Sequence, residues 1–334
     1  MTVIFNLGGD QGGFFLGFLF LVIGFLLIFA PIVSLFVYHR RQHGLKIKAL
    51  RVFLVSCGIV LGVIGALLIY RTVLMDYTKK HNIQINPNYD SSLLQNISFY
   101  EINPLLQIPS SFNLRSRMPS VLFQGILQSC GANAISNCLK FHQKGKKFQP
   151  SRLFIHYNAR KIDGIDTKSD NSPSFGALLQ SIIQYNACDE WTVPYNTFNY
   201  SKKPPTVAYT KAKQNKNVVC TLIFNRDKIL AMKQNIYQNR PVIFACKLFQ
   251  SYNNFNLDAK NLSTLLTGYI SMPDSQEKEI GSHYFICCGY NDAKKYFIVQ
   301  NSLGVLLGDY GYFYFPYDYV YFYSTNIFTV EYQP

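Results

Sequence analysis

Cys130 stands at the junction of a loop, residues 118–129, and a helical pattern in which Ala134, Cys138 and Phe141 recur at helical spacing. A thiol at a helix N-terminus feels the partial positive charge of the unpaired N–H groups, which favours the thiolate. Gln124 lies just upstream, in a loop that can fold back and aim its amide N–H at the point faced by the Cys130 backbone N–H. Two donors so placed make an oxyanion hole. A lone cysteine at a helix start is ordinarily a small buried hydrophobe, so the rest of the chain decides. Downstream, Gly281-Ser282-His283-Tyr284-Phe285-Ile286 sets a histidine at the head of an apolar strand. Further on, Gln300-Asn301-Ser302-Leu303-Gly304 sets an asparagine after the strand residues Tyr296-Phe297-Ile298-Val299. A thiolate nucleophile needs an imidazole partner, and the imidazole needs a group to orient it. Cys130, His283 and Asn301 supply these in order, the first two separated by about 150 residues.

These motifs resemble the papain-like cysteine proteases. Gln124-Gly125 with Cys130 is similar to the family's Gln-Gly…Cys motif. His283 followed by Gly289-Tyr290 resembles its histidine strand, and Asn301-Ser302-x-Gly304 with Gly308-Asp309-x-Gly311-Tyr312 resembles the run around its asparagine. Leu114-Arg115, Met118-Pro119, Pro150-Ser151-Arg152-Leu153-Phe154 and Glu190-x-x-x-Pro194-Tyr195 look like the disulfide-poor branch of bacteria and large DNA viruses, iridovirus-type members included. The resemblance covers roughly residues 110–332 and departs in three places. Gly131 replaces the tryptophan after the cysteine, Leu303 and Leu307 replace two tryptophans near the asparagine, and Leu127 replaces a disulfide cysteine.

The resemblance implies an α+β fold with a helical lobe and an antiparallel β lobe. It also implies a cysteine endopeptidase with Cys130 as nucleophile, His283 as acid–base, Asn301 as orienting group and Gln124 as oxyanion donor. Neither metal nor organic cofactor is needed, and the substrate is a polypeptide. The competing reading is a papain fold without catalysis, kept as a membrane or virion structural protein. The missing tryptophan motivates it, because in the family that ring keeps water off the His–Asn hydrogen bond, and Leu303 shields only partly.

The surrounding elements follow from periodicity. The Cys130 helix is expected to end near Gly145, and a second helix spans Ser174 to Tyr185 with Ser174 as N-cap. His156, within Arg152-Leu153-Phe154-Ile155-His156-Tyr157, reads as packed or surface rather than catalytic, and Trp191 as a core residue. In the β half, Val218 to Phe224 and Val242 to Leu248 are strand-like around a short helix from Lys228 to Tyr237. A polar excursion over 250–280 precedes the strands His283–Tyr290 and Tyr296–Gln300, joined through Asn291-Asp292-Ala293-Lys294. The runs 311–315 and 327–332 close the sheet.

Upstream lie two uncharged apolar runs, residues 13–38 and 52–70, each long enough for a ~30 Å hydrocarbon core. They predict a transmembrane helical hairpin within an anchor at 1–75, a linker or short pro-like segment at 76–112, and a peptidase domain at 113–334. The chain is then an integral membrane protein with the lipid bilayer as partner. Arg40, Arg41, Lys46, Lys48 and Arg51 in the connecting loop place that loop in the cytosol by the positive-inside rule. The missing disulfide cysteine points instead to a reducing compartment for the peptidase domain, so its side is open.

The formal charge of +14 suits an anionic membrane surface, and with no nucleic-acid motif in the chain none is expected as partner. Six of the eight cysteines, Cys138, Cys188, Cys220, Cys246, Cys287 and Cys288, form no C-x-x-C pair, which argues against zinc, and read as buried hydrophobes. Asn96, Asn199 and Asn261 begin N-x-S sequons of the kind an asparagine-rich chain contains by chance.

Overall fold

The computed structural model describes residues 96–143, 148–224, 226–253, 264 and 266–333. All belong to one unit, Tyr70–Pro334. Among them no helix is long and apolar enough to cross a membrane. The runs 13–38 and 52–70 lie outside the described residues, as does Gly145.

In chain order the elements are β1 (Ile97–Phe99), β2 (Ser111–Asn113), α1 (Cys130–His142), α2 (Arg152–Ile162), α3 (Phe175–Tyr185), α4 (Thr206–Lys213), β3 (Val218–Leu222), α5 (Lys228–Tyr237), β4 (Val242–Phe249), α6 (Gln250–Asn253), β5 (Glu279–Asn291), β6 (Tyr296–Gln300), β7 (Tyr312–Pro316), α7 (Tyr317–Tyr323) and β8 (Ser324–Tyr332). The strands form one sheet in the order β1-β3-β8-β4-β5-β6-β7, with β2 on β5. All pairings are antiparallel except β1 with β3.

Because side chains alternate along a strand, the central strands feed two cores. Ile243 and Ala245 of β4 and Tyr284 and Ile286 of β5 pack against α1 and α3. Phe244, Cys246, Phe285 and Cys287 point the other way, into the core completed by α5, β6, β7 and α7. The helical half thus rests on one face of the sheet, and the β half encloses the other.

Ser174 caps α3, accepting from Ala177 N at 3.2 Å, and Ser151 caps α2, accepting from Phe154 N at 3.1 Å. The β5–β6 turn is held by the Asn291 side chain, which accepts from Lys294 N at 2.9 Å. The expected linker, 76–112, contributes β1 and the first two residues of β2 to the sheet, and β2 continues across the expected boundary to Asn113. Trp191 is a correction: it is 92% exposed rather than in the core. The Asp189 carboxylate accepts from the backbone and hydroxyl of Thr192, closing a tight turn that leaves the indole outside. The seven described cysteines are all buried and none is disulfide-bonded.

Candidate active site

Cys130 opens α1 and is 2% exposed. Ser129, at the N-cap position, does not cap the helix with its side chain. Its hydroxyl lies 2.7 Å from the Tyr195 hydroxyl and accepts from Asn133 Nδ2 at 3.0 Å. The Ser129 hydroxyl is thus diverted from the positive end of α1, where Cys130 sits.

Gly131 explains one departure from the family pattern. A Cβ there would stand 2.5 Å from Leu178 Cδ1 of α3, so any side chain at this position would have to displace the buried Leu178. The same position lies against Tyr284, the neighbour of His283, so α1 and β5 meet at adjacent residues.

His283 is buried on β5, opposite Cys246 of β4. Its Nε2 lies 2.9 Å from Asn301 Oδ1. The orientation of the amide follows from a second contact: Ser302 N lies 2.7 Å from the same oxygen, and a backbone N–H can only donate. Oδ1 is therefore the acceptor, the imidazole proton sits on Nε2, and Nδ1 carries the lone pair. Burial pushes the His283 imidazole down to about 4, partly opposed by the Asn301 hydrogen bond. The Phe285 ring stands edge-on to the imidazole with centroids 4.7 Å apart.

Asn301 is brought beside the Gln124 loop by a tight return of the chain. Asn301 N donates to Gly311 O at 3.0 Å, and Gly311, at φ +86°, has Val121 Cγ1 2.6 Å from where a Cβ would be. Gln124 N donates to Ser302 O at 2.8 Å, and Ser302 Oγ donates to Gln124 Oε1 at 2.5 Å. With Oε1 taken, the Gln124 amide presents its N–H side, and Nε2 donates to Leu127 O at 2.9 Å. Leu127, in place of the family's disulfide cysteine, is 1% exposed. Gln124, Ser302, Asn301 and His283 are thus linked through hydrogen bonds and one peptide bond.

Two features had no role assigned from the sequence. Arg152, buried at the start of α2, pairs with Glu190 at 2.6 Å, donates to Asn133 Oδ1 at 3.0 Å and Phe123 O at 3.2 Å, and lies 3.6 Å over the Tyr195 ring. Tyr195 in turn donates to Gln124 O at 2.7 Å. Their signal was present: an arginine set directly before the apolar run Leu153-Phe154-Ile155 calls for a carboxylate partner. Tyr252, on α6, accepts from Asn301 Nδ2 at 3.0 Å. Nothing in the polar stretch Gln250-Ser251-Tyr252-Asn253 marks it. His156 is packed, as expected: it is fully buried, its imidazole is lowered by that burial, and its Nε2 lies 3.3 Å from Asp170, whose carboxylate accepts from Gln128 N at 3.1 Å.

A buried thiol at a helix N-terminus and an imidazole–amide pair on a two-lobed α+β scaffold define a papain-like fold. No protein-family model matches the chain. An uncharacterized peptidase C1-like protein of Acanthamoeba polyphaga mimivirus is 31% identical over 262 residues, covering 75% of this chain and 79% of that one. The structure of xylellain, a cysteine protease from Xylella fastidiosa, matches at a TM-score of 0.66 and 24% identity, over 77% of this chain and 98% of that one. A digestive procathepsin L2 proteinase of Tenebrio molitor larval midgut matches at 0.56 and 15%, over 77% and 79%. The chain belongs to the peptidase C1-like, papain-like cysteine peptidases. It is a cysteine-type peptidase.

Proposed function

We propose that this chain is a membrane-anchored endopeptidase that cleaves polypeptides through Cys130, His283 and Asn301, with Gln124 as oxyanion donor. The carrying observation is the His283–Asn301 pair, whose geometry leaves Nδ1 as the basic nitrogen of a buried imidazole. In the reaction, the Cys130 thiol proton passes to Nδ1. The ion pair so formed stabilises both charges, including an imidazolium that burial alone disfavours. The thiolate adds to the peptide carbonyl, and the oxyanion is met by the Cys130 N–H and the Gln124 amide. Collapse breaks the C–N bond as Nδ1–H protonates the leaving amine. Water then hydrolyses the thioester, losing its proton to the same nitrogen.

In this reading residues 1–75 are the anchor, with spans at 13–38 and 52–70, residues 76–112 the connector, and residues 113–334 the catalytic domain. The two uncharged apolar runs support the anchor. The mimivirus relative makes a virion or host membrane a natural setting.

One experiment tests both halves. The full-length chain, expressed in membranes, is treated with an epoxide or iodoacetamide probe and extracted with alkaline carbonate. We expect labelling at Cys130 that falls sharply in His283→Ala, with the labelled chain in the membrane pellet. Labelling indifferent to His283 would overturn the catalytic assignment, and recovery in the supernatant would overturn the anchor.

A further inference from the structure

We infer that Tyr252 is a positioning residue for the reaction, holding Asn301 and closing the His283–Asn301 pair to water. This rests on the catalytic reading of Cys130, His283 and Asn301. The family's tryptophan in this region is replaced by Leu303, which is buried in the β-lobe core. The aromatic cover is rebuilt from two other places in the chain. Phe285, two residues along β5, stands edge-on to His283. Tyr252, from α6 at the end of β4, packs edge-on to Phe285 with centroids 6.2 Å apart and tilts over Phe313 at 6.3 Å.

The hydroxyl adds what a hydrocarbon ring cannot. Asn301 Oδ1 is committed to His283 Nε2 and Ser302 N, so Nδ2 faces away from the imidazole and needs an acceptor in a buried place. Tyr252 Oη accepts from it at 3.0 Å. The amide plane is thereby fixed on both edges, and the imidazole is aimed through it.

Ring and hydroxyl are separable by substitution. Tyr252→Phe should lower kcat about tenfold with KM within about twofold, as expected for a hydrogen bond that acts on orientation rather than substrate binding. It should slow iodoacetamide alkylation of Cys130 in parallel, since thiolate formation needs the aimed imidazole. Tyr252→Leu should lose more, because water reaches the pair. The decisive readout is non-additivity: in an Asn301→Ala background, Tyr252→Phe should have no further effect on either rate.

Wild-type rates in Tyr252→Phe, or an equal loss with and without Asn301, would overturn the assignment. A Tyr252→Leu variant no worse than Tyr252→Phe would overturn the shielding half. Alkylation requires no peptide turnover. A wild-type chain that fails to cleave peptides would therefore sink the peptidase reading while the coupling of Tyr252 to Asn301 could still be measured.

Discussion

Arg152, Glu190 and Tyr195 hold the loop before Cys130 with an ion pair and hydrogen bonds, whereas buried His283 stands edge-on to Phe285, with the Tyr252 ring packed against Phe285 in turn. The backbone explains the contrast. The loop 122–129 runs outside the main sheet and is buried at Gln124 and from Leu127 to Ser129, and the carbonyls of Phe123, Gln124 and Leu127 and the N–H of Gln128 take side-chain partners. His283 sits in a strand whose backbone is paired with β4. Its neighbours are free to be rings, and burial becomes the means of setting the imidazole. One half of the site is positioned by polar satisfaction, the other by desolvation.

The comparison is most exposed at Gln124, where the polar half meets the chemistry. On the proposed oxyanion role, Gln124→Ala should lower kcat by roughly 10²–10³ with little change in KM, because such a donor meets charge that develops only in the transition state. Alkylation of Cys130 by iodoacetamide, which forms no carbonyl oxyanion, should stay near wild type. The variant also strands Ser302 Oγ, so a fall in stability of about 1–3 kcal/mol is expected. Alkylation slowed along with hydrolysis would mean that the loop, not the donor, had been lost.

Arg152→Met tests the scaffold behind that loop. Removing Arg152 leaves the half-buried Glu190 carboxylate without its partner, at a cost of about 2–3 kcal/mol, below that of a fully buried pair because solvent reaches Glu190. Chemical denaturation should show that loss, together with a fall in kcat of about tenfold as the Phe123 and Asn133 contacts go. Adding Glu190→Leu should restore most of the stability but not the rate. If the double variant regained both, Arg152 would merely neutralise Glu190.

The residues proposed to react could be picked out in the sequence because their signals are written locally: a cysteine opening a helical period, a histidine heading an apolar strand, an asparagine closing another. The α3 cap and the β5–β6 turn were legible for the same reason. What lay hidden depends on contacts between distant segments. The buttress joins Arg152 to Glu190 and Tyr195, and Tyr252 reaches Asn301 from the far end of β4. Trp191 was misplaced because an indole's apolar area argues for burial, while a turn closed by Asp189 decides otherwise. The run Tyr317–Tyr323 is aromatic enough to suit a strand, yet it forms α7 after Pro316 and buries only Tyr319 and Val320.

The smallest effect should come from Tyr195→Phe, and it sharpens the comparison most finely. The Tyr195 hydroxyl donates to Gln124 O at 2.7 Å and lies 2.7 Å from Ser129 Oγ, so it ties the oxyanion side of the loop to the residue before Cys130. Phenylalanine keeps the ring under the Arg152 guanidinium and removes the hydroxyl with its bonds. Ser129 Oγ keeps its bond from Asn133, and the Gln124 carbonyl is left short of one donor. The expected cost is about 0.5–1.5 kcal/mol in stability and roughly threefold in kcat, since each bond is neutral and partly replaceable. The pH profile should not move. Burial raises the Tyr195 phenol above its ordinary value, so it stays protonated through the neutral range. Tyr252→Phe, on the apolar side, acts on the group that aims the imidazole and should slow Cys130 alkylation as well as hydrolysis. Tyr195→Phe should slow hydrolysis alone. Parallel rates of alkylation and peptide cleavage for the two variants would separate them, and a Tyr195→Phe protein with impaired alkylation would show that the two halves of the site are mechanically one.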